Sequence, residues 1–137
     1  MPSLTIRRPV ALHVIVTEEF KQELAAELRE AADATRKRIE QLELEARRFL
    51  ADVQRADLTQ AMTARRRIEV ERHRQEALRE ELAKQADDVA NLELGSEFPR
   101  GTLEGIVEVK EGDNLYDKLS KATVVVKDGV ILEIREG

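Results

Sequence analysis

The fold of this 137-residue chain is decided by residues 18–92, which begin EEFKQELAAELREAADATRKRIEQLELEARRFL and continue to Leu92 without a glycine or a proline. The segment consists mainly of Glu, Arg, Ala, Leu, Gln and Lys, which have high helix propensity. One continuous helix of this length would extend about 110 Å, so we expect the chain to fold back on itself. Thr17 is typical of a helix N-cap, and Gly95 and Pro99 are typical of a helix stop.

Apolar residues form one stripe along each half of the segment, at steps of three and four residues, and the first stripe starts at Phe20 and Leu24. This spacing is typical of helices that pack in a coiled coil. In an antiparallel hairpin the numbers of facing residues have a constant sum, and here the sum is 117. The predicted facing pairs are Ala56 with Ala61, Val53 with Ala64, Phe49 with Ile68, Ala46 with Glu71, Leu42 with Gln75, Ile39 with Leu78, Thr35 with Leu82, Ala31 with Ala86 and Leu28 with Val89.

These pairs place the reversal of the chain between Leu58 and Thr59, with a turn near residues 57–60. Asp57 or Thr59 can cap the second helix, and Gln60 follows Asp57 at the spacing of a capping box. The sequence therefore predicts a long antiparallel two-helix coiled-coil hairpin over residues 18–94.

Several layers of this hairpin are weak, because some pair two alanines and others contain Glu71 or Gln75. An isolated hairpin with such layers is marginal, so we expect association into a dimer or a tetramer. A second copy would cover the apolar residues that lie off the main stripes, or these are scattered surface residues. They are Leu44, Leu50, Met62 and Val70.

The flanking segments, residues 1–17 and 95–137, have the composition of β-strands. We expect strands at Val10–Val16, Thr102–Lys110, Thr123–Val126 and Val130–Ile134, and a short helix at Leu115–Leu119. Asp128-Gly129 between two β-branched runs is a strong hairpin signal, so the last two strands should pair. The predicted fold class is α+β, in which the N-terminal and C-terminal strands form a small antiparallel β-sheet or barrel at the base of the hairpin.

The composition excludes several classes of chemistry. The chain has no Cys and only two His, which excludes disulfides, thiolate nucleophiles and Cys-based metal centres. His13 and His73 should be far apart in the hairpin model, and no glycine-rich phosphate loop is present. We therefore expect no enzymatic activity, no cofactor, no metal and no small-molecule substrate. We also expect no membrane partner, because no apolar run approaches the length of a membrane span.

Basic residues concentrate in the outer half of the predicted hairpin. Between residues 47 and 74 there are eight arginines against four carboxylates, a net charge of +4, whereas the whole chain carries −5. Guanidinium groups suit phosphate oxygens, so these residues are the candidate contacts to an anionic partner, RNA included. Alternatively, they pair with acidic residues of another copy or only maintain solubility. The arginines are Arg47, Arg48, Arg55, Arg65, Arg66, Arg67, Arg72 and Arg74.

The C-terminal third of the chain carries the most specific motifs, LGSE at 94–97, EGIVEVKEGDN at 104–114 and VVKDGVILEIR at 125–135. Together with the leading strand and the long charged helical pair, these motifs closely resemble the bacterial YlqD proteins. The resemblance implies a cytoplasmic protein without an established biochemical activity, and it transfers no catalytic or binding residues.

These observations leave three functional hypotheses. The first is a non-enzymatic coiled-coil scaffold, a protein-interaction module that self-associates and presents its helices to a protein partner. The second is an RNA- or ribosome-associated factor that uses the arginine-rich tip. The third is a chaperone-like clamp of the prefoldin type, in which several hairpins project from a β platform.

Overall fold

The computed structural model describes residues 2–53 and 57–136, with Val53 described by its backbone only. The chain divides into two compact units, a sheet unit of residues 1–21 and 92–137 and a helical unit of residues 22–91. In chain order, the elements are β1 (Ser3–Ile15), α1 (Glu18–Val53), α2 (Leu58–Asp88), a 3₁₀ turn (Val89–Asn91), β2 (Glu97–Lys110), α3 (Leu115–Leu119), β3 (Ala122–Lys127) and β4 (Val130–Arg135).

The four strands form one open sheet in the order β2-β1-β3-β4. The prediction that the N-terminal strand joins the C-terminal strands is confirmed, because β1 lies between β2 and β3. The prediction of an antiparallel sheet or barrel is wrong in two respects. β1 and β3 are parallel, so the sheet is mixed, and β2 and β4 are its two edges, so it does not close.

The parallel pair follows from the route of the chain. β2 runs antiparallel to β1 and ends at Lys110, beside Ser3 at the start of β1. The segment that contains α3 then carries the chain to the other side of β1, where Ala122 pairs with Val10. From there β3 extends toward the C-terminal end of β1, as far as the pair of Val126 with Val14, so the two strands run in the same direction. Pro9, which has no N–H, lies just before this pairing begins.

The hairpin of β3 and β4 is confirmed, and its turn has the predicted residues. Asp128 and Gly129 have φ values of 48° and 85°, and positive φ at both central residues is what a type I′ hairpin turn requires. The side chain of Asp128 also accepts a hydrogen bond of 2.8 Å from Oγ1 of Thr17. This bond ties the turn to the segment that follows β1.

Backbone hydrogen bonds link the residue that follows β1 to the residues that precede β2. The N–H of Val16 donates to the carbonyl of Ser96, and the carbonyl of Val16 accepts from the N–H of Gly95, both at 2.8 Å. The ring centroids of Phe20 and Phe98 lie 5.5 Å apart, and the guanidinium carbon of Arg100 lies 5.7 Å from the centroid of the Phe20 ring. The most buried side chains of the unit are those of Val16, Phe20, Ala122 and Val125.

Both long helices begin with side-chain caps. Oγ1 of Thr17 accepts from the N–H of Phe20 at 3.1 Å, as predicted. Oδ1 of Asp57 accepts from the N–H groups of Thr59 at 2.8 Å and Gln60 at 3.4 Å. With this cap α2 begins at Leu58, so Leu58, Thr59 and Gln60 are helical and not part of a turn as predicted, and Asp57 precedes the helix. Residues 54–56 lie outside the described residues.

The predicted stripes coincide with the protected faces of the two helices. The least exposed side chains of the helical unit are Leu24, Thr35, Ile39, Leu42, Ala61, Ala86 and Val89, and all are stripe positions. Phe49 and Leu78 are exceptions at 49% and 46% exposure. The facing pairs stay a prediction, and those of Val53 and Ala56 lie outside the described side chains. No helix in the described ranges is long and apolar enough to cross a membrane.

Replacing Asp57 with Ala should lower the free energy of unfolding by about 1 kcal/mol, because the first turn of α2 then loses the acceptor for two N–H groups. Urea unfolding followed by far-UV circular dichroism measures the change. Asp57→Asn is the matched control, since Asn is an equally good N-cap, and it should keep the stability of the parent protein. Equal losses in both variants would contradict the assigned role of the cap.

Candidate functional site

The predicted arginines lie on both long helices. Arg47 and Arg48 belong to α1, whereas Arg65, Arg66, Arg67, Arg72 and Arg74 belong to α2. Arg55 lies outside the described residues. Arg72 is half-buried, and the other described arginines of this set are exposed.

Two of these arginines have ion-pair partners on their own helix. Arg72 contacts Glu69 at 3.2 Å and Arg74 contacts Glu71 at 3.4 Å, each three residues apart. Within the described part of the chain, the remaining five form no ion pair. Exposed pairs of this kind contribute little to stability, so the arginines hold no part of the fold together.

The five unpaired arginines do not converge on one point. Arg65, Arg66 and Arg67 are consecutive on α2, and consecutive residues of an α-helix point about 100° apart. They therefore cannot contact the same phosphate or carboxylate. The arrangement is a diffuse basic surface around the end of the helical unit, which can attract an anionic partner but cannot enclose a small anion.

A cavity of the helical unit lies between α1 and α2, and Arg67 is among its lining residues. Its volume is about 610 Å³. The apolar lining comes from both helices, and Arg67 and Glu45 lie at the same cavity. Phe49 and Ile68, a predicted facing pair, are both among the lining residues. The apolar residues of the lining are Leu42, Ala46, Phe49, Ala64 and Ile68.

A second polar cluster, which the sequence did not indicate, lies on the sheet. Arg135 on β4 donates hydrogen bonds to both oxygens of Glu97 on β2, one of them 3.1 Å long. Arg135 also contacts Glu133 at 3.0 Å, and Nδ1 of His13 lies 3.4 Å from Glu97. Since β2 and β4 are opposite edges of the sheet and 38 residues separate Glu97 from Arg135, no local spacing could reveal this contact.

Contacts within this cluster shift the pKa values of its members. The hydrogen bond from Arg135 is the main cause that lowers the pKa of Glu97, and a hydrogen bond to His13 lowers it further. Arg135 lowers the pKa of Glu133 in the same way. The two carboxylates in turn raise the pKa of Arg135, Glu97 more than Glu133. All three groups are therefore charged near neutral pH, and together they carry a net charge of −1.

The two histidines take part in different local contacts. His13 belongs to the cluster on the sheet, whereas Nε2 of His73 lies 3.8 Å from Glu69, one turn earlier on α2. Across residues 2–53 and 57–136, no group of three or more His, Cys, Asp or Glu side chains is arranged to hold a metal ion.

Replacing Arg135 with Gln should make the stability of the sheet unit less dependent on acidic pH. Folding lowers the pKa of Glu97 and Glu133, so their interactions with Arg135 stabilise the folded state above the unfolded carboxyl pKa of about 4.5. This contribution is lost as the pH falls through the lowered pKa values. We expect a lower melting temperature than the parent near pH 7 and a difference that shrinks as the pH falls below 4.5.

The matched control for this experiment is Lys127→Gln, which removes the same charge from the neighbouring strand. Lys127 is exposed and, in the described ranges, has no ion pair. The melting temperature of this variant should therefore differ from that of the parent by the same amount at every pH. A difference between Arg135→Gln and the parent that persists at the lowest pH would contradict the assigned ion pairs.

Replacing Arg65, Arg66 and Arg67 together with Gln should leave the fold intact. The three side chains are exposed and form no ion pair among the described residues, and Gln has nearly the helix propensity of Arg. We expect the free energy of unfolding to change by no more than about 0.5 kcal/mol per substitution, measured by urea unfolding. A loss several times larger would show that these arginines support the packing of the helices.

Comparisons with known proteins extend over the whole chain. Residues 4–135 match the family model described as YlqD protein. The uncharacterized protein YlqD of Bacillus subtilis (strain 168) is 25% identical over 127 residues, which cover 93% of this chain and 94% of that protein. A crystal structure of a protein of unknown function from Synechococcus sp. WH 8102 is 29% identical. It superposes with a TM-score of 0.84, over 98% of this chain and 96% of the other. On the match to the family model, the chain belongs to the YlqD family.

Proposed function

We propose that this chain is a non-enzymatic cytoplasmic scaffold, a protein-interaction module that self-associates through its sheet unit and offers its coiled-coil helices to a protein partner. The observation that carries the proposal is the amount of apolar surface on the sheet unit. Large exposed apolar surfaces on soluble proteins usually mark interaction sites.

The exposed apolar side chains occur on most elements of the sheet unit. Leu103 and Ile106 lie on the edge strand β2, Tyr116 lies on α3, and four more residues belong to the short strand β4. Each of these residues is at least 41% exposed within one copy. The set is Leu4, Leu94, Leu103, Ile106, Leu115, Tyr116, Leu119, Val130, Ile131, Leu132 and Ile134.

The helical unit also exposes apolar side chains, among them Leu44, Met62 and Val70, but its charged residues suit a partner of opposite charge. Its outer faces carry ion pairs between residues three or four apart, such as Arg36 with Asp33 at 2.9 Å and with Glu40 at 2.7 Å. The five arginines without ion pairs among the described residues lie in the last two turns of α1 and the first three turns of α2. This surface supports recognition of an acidic protein segment, because guanidinium groups bind carboxylates through two parallel hydrogen bonds.

The self-association part of the proposal is tested by light scattering across a range of protein concentrations at low and high salt. We expect a dimer or a tetramer whose mass persists at high salt, because apolar burial does not weaken with ionic strength as exposed ion pairs do. A strict monomer at the highest concentration would overturn self-association. An oligomer that dissociates at high salt would assign the contact to the charged helices instead.

The protein-interaction part of the proposal is tested with the variant in which Gln replaces Arg65, Arg66 and Arg67. The parent protein and this variant are titrated with a labelled single-stranded RNA of mixed sequence at low salt. A scaffold for proteins should bind the RNA weakly or not at all, and equally in both forms. Binding that the variant loses, together with a smaller dependence on salt, would replace the proposal with an RNA-binding function.

A further inference from the structure

The free edge of β4 is the most apolar part of the sheet unit. β4 is the last strand in the order β2-β1-β3-β4, so one side of its backbone has no strand beside it. Its residues Val130, Ile131, Leu132 and Ile134 are 58–64% exposed. An apolar edge strand of this kind is a ready template for pairing with another strand.

The opposite edge of the sheet is protected against such pairing. β2 contains Pro99, and its register against β1 shifts beside that residue, between Leu12 and His13. Glycines at positions 101 and 105 also interrupt β2, and it carries charged residues at positions 97, 100, 104, 108 and 110. Prolines, irregularities and charges are the devices by which proteins block edge strands. β4 has neither a proline nor a glycine.

The two charged residues of β4 do little to block its edge, because both are engaged within the sheet. Arg135 reaches across to Glu97 on β2, and it also pairs with Glu133 at 3.0 Å. The guanidinium is thereby held over one face of the sheet and directed away from the free edge. What remains at the edge is the apolar set of β4.

The hydrogen bonding of the β3–β4 hairpin shows which backbone groups of β4 face outward. Lys127 and Val130 flank the two-residue turn and form a hydrogen-bonded pair. Hydrogen-bonded and non-hydrogen-bonded pairs alternate along an antiparallel ladder. Ile131, opposite Val126, and Ile134, opposite Val124, are therefore the positions whose N–H and C=O groups point to the free edge.

These two positions are self-complementary about a two-fold axis. If β4 pairs with β4 of a second copy, Ile131 of each copy lies opposite Ile134 of the other, and all four outward positions are hydrogen-bonded. Opposite residues lie on the same face of a sheet, and Ile131 and Ile134 already share the face of Val126 and Val124. Leu132, the extra residue in the register of β4 against β3, then lies at the centre of the contact.

We propose that β4 pairs in antiparallel fashion with β4 of a second copy of this chain, with Ile131 opposite Ile134 of the other copy, to form one continuous eight-stranded sheet. The inference rests on the proposed self-association and names the surface that performs it. Two-fold symmetry suits this edge, because the only pairing that a two-fold axis normal to the sheet allows is antiparallel.

The first experiment is the double substitution Ile131→Lys and Ile134→Lys. Both side chains are largely exposed, so each copy should fold as before, and circular dichroism and the melting temperature at low concentration check this. In the proposed contact, the lysines of the two copies lie directly opposite each other. We expect the dimer dissociation constant, measured by sedimentation velocity, to rise at least about tenfold.

The matched control is Ile106→Lys on the other edge strand, where Ile106 is 72% exposed. It should leave the dimer dissociation constant unchanged. If the wild-type chain is a monomer, the proposed function fails together with this inference. If the wild-type chain associates and the β4 double variant associates equally well, the inference fails and the proposed self-association stands.

The second experiment tests the register by disulfide trapping. The introduced cysteines are the only ones that can react, because the sequence contains none. Opposite residues of a hydrogen-bonded antiparallel pair have Cα atoms about 5.5 Å apart, within the range of a disulfide. A mixture of Ile131→Cys and Ile134→Cys proteins should form a crosslinked dimer under mild oxidation. Efficient crosslinking of Ile131→Cys alone, with no crosslink between Ile131→Cys and Ile134→Cys chains in the mixture, would overturn the register.

Discussion

The structure depends on the pairing of β1 with strands that come more than 80 residues later in the chain. The backbone of Val16 closes this pairing by donating to Ser96 and accepting from Gly95, each at 2.8 Å. Gly95 can do this because its φ of 86° is a conformation that glycine adopts without strain. Val16 is also one of the two most buried side chains, so its peptide bonds are shielded from water. These hydrogen bonds hold the residue that follows β1 beside the residues that precede β2.

The two units of the chain protect their apolar residues to different extents. In the helical unit, apolar residues at steps of three and four produce one protected stripe on each helix, and most of the remaining surface is charged. In the sheet unit, a sheet with only short α3 among its own helical elements cannot cover two faces and an edge. The sheet unit therefore leaves apolar surface exposed because it is small, and association with another protein surface would bury it.

The same separation explains the two polar features of the molecule. The arginines of the helical unit are conspicuous in the sequence, yet the geometry of a helix disperses them over several directions. The cluster of His13, Glu97, Glu133 and Arg135 is inconspicuous in the sequence, yet the sheet gathers it into one network. A run of like charges therefore indicated a surface and not a site, whereas the interacting cluster required residues from three different strands.

The sequence by itself determined the local features of this protein. These include the helical stripes, the caps at Thr17 and Asp57, the turn at Asp128-Gly129 and the family to which the chain belongs, because each depends on residue types at short spacing. Only the tertiary structure decided that β3 lies parallel to β1, that the sheet stays open and that Arg135 reaches Glu97. These features depend on where the chain re-enters the sheet after a crossover. The composition of a strand does not specify the direction of the strand beside it. The exposed edge of β4 likewise follows from strand order, which no local pattern of residues specifies.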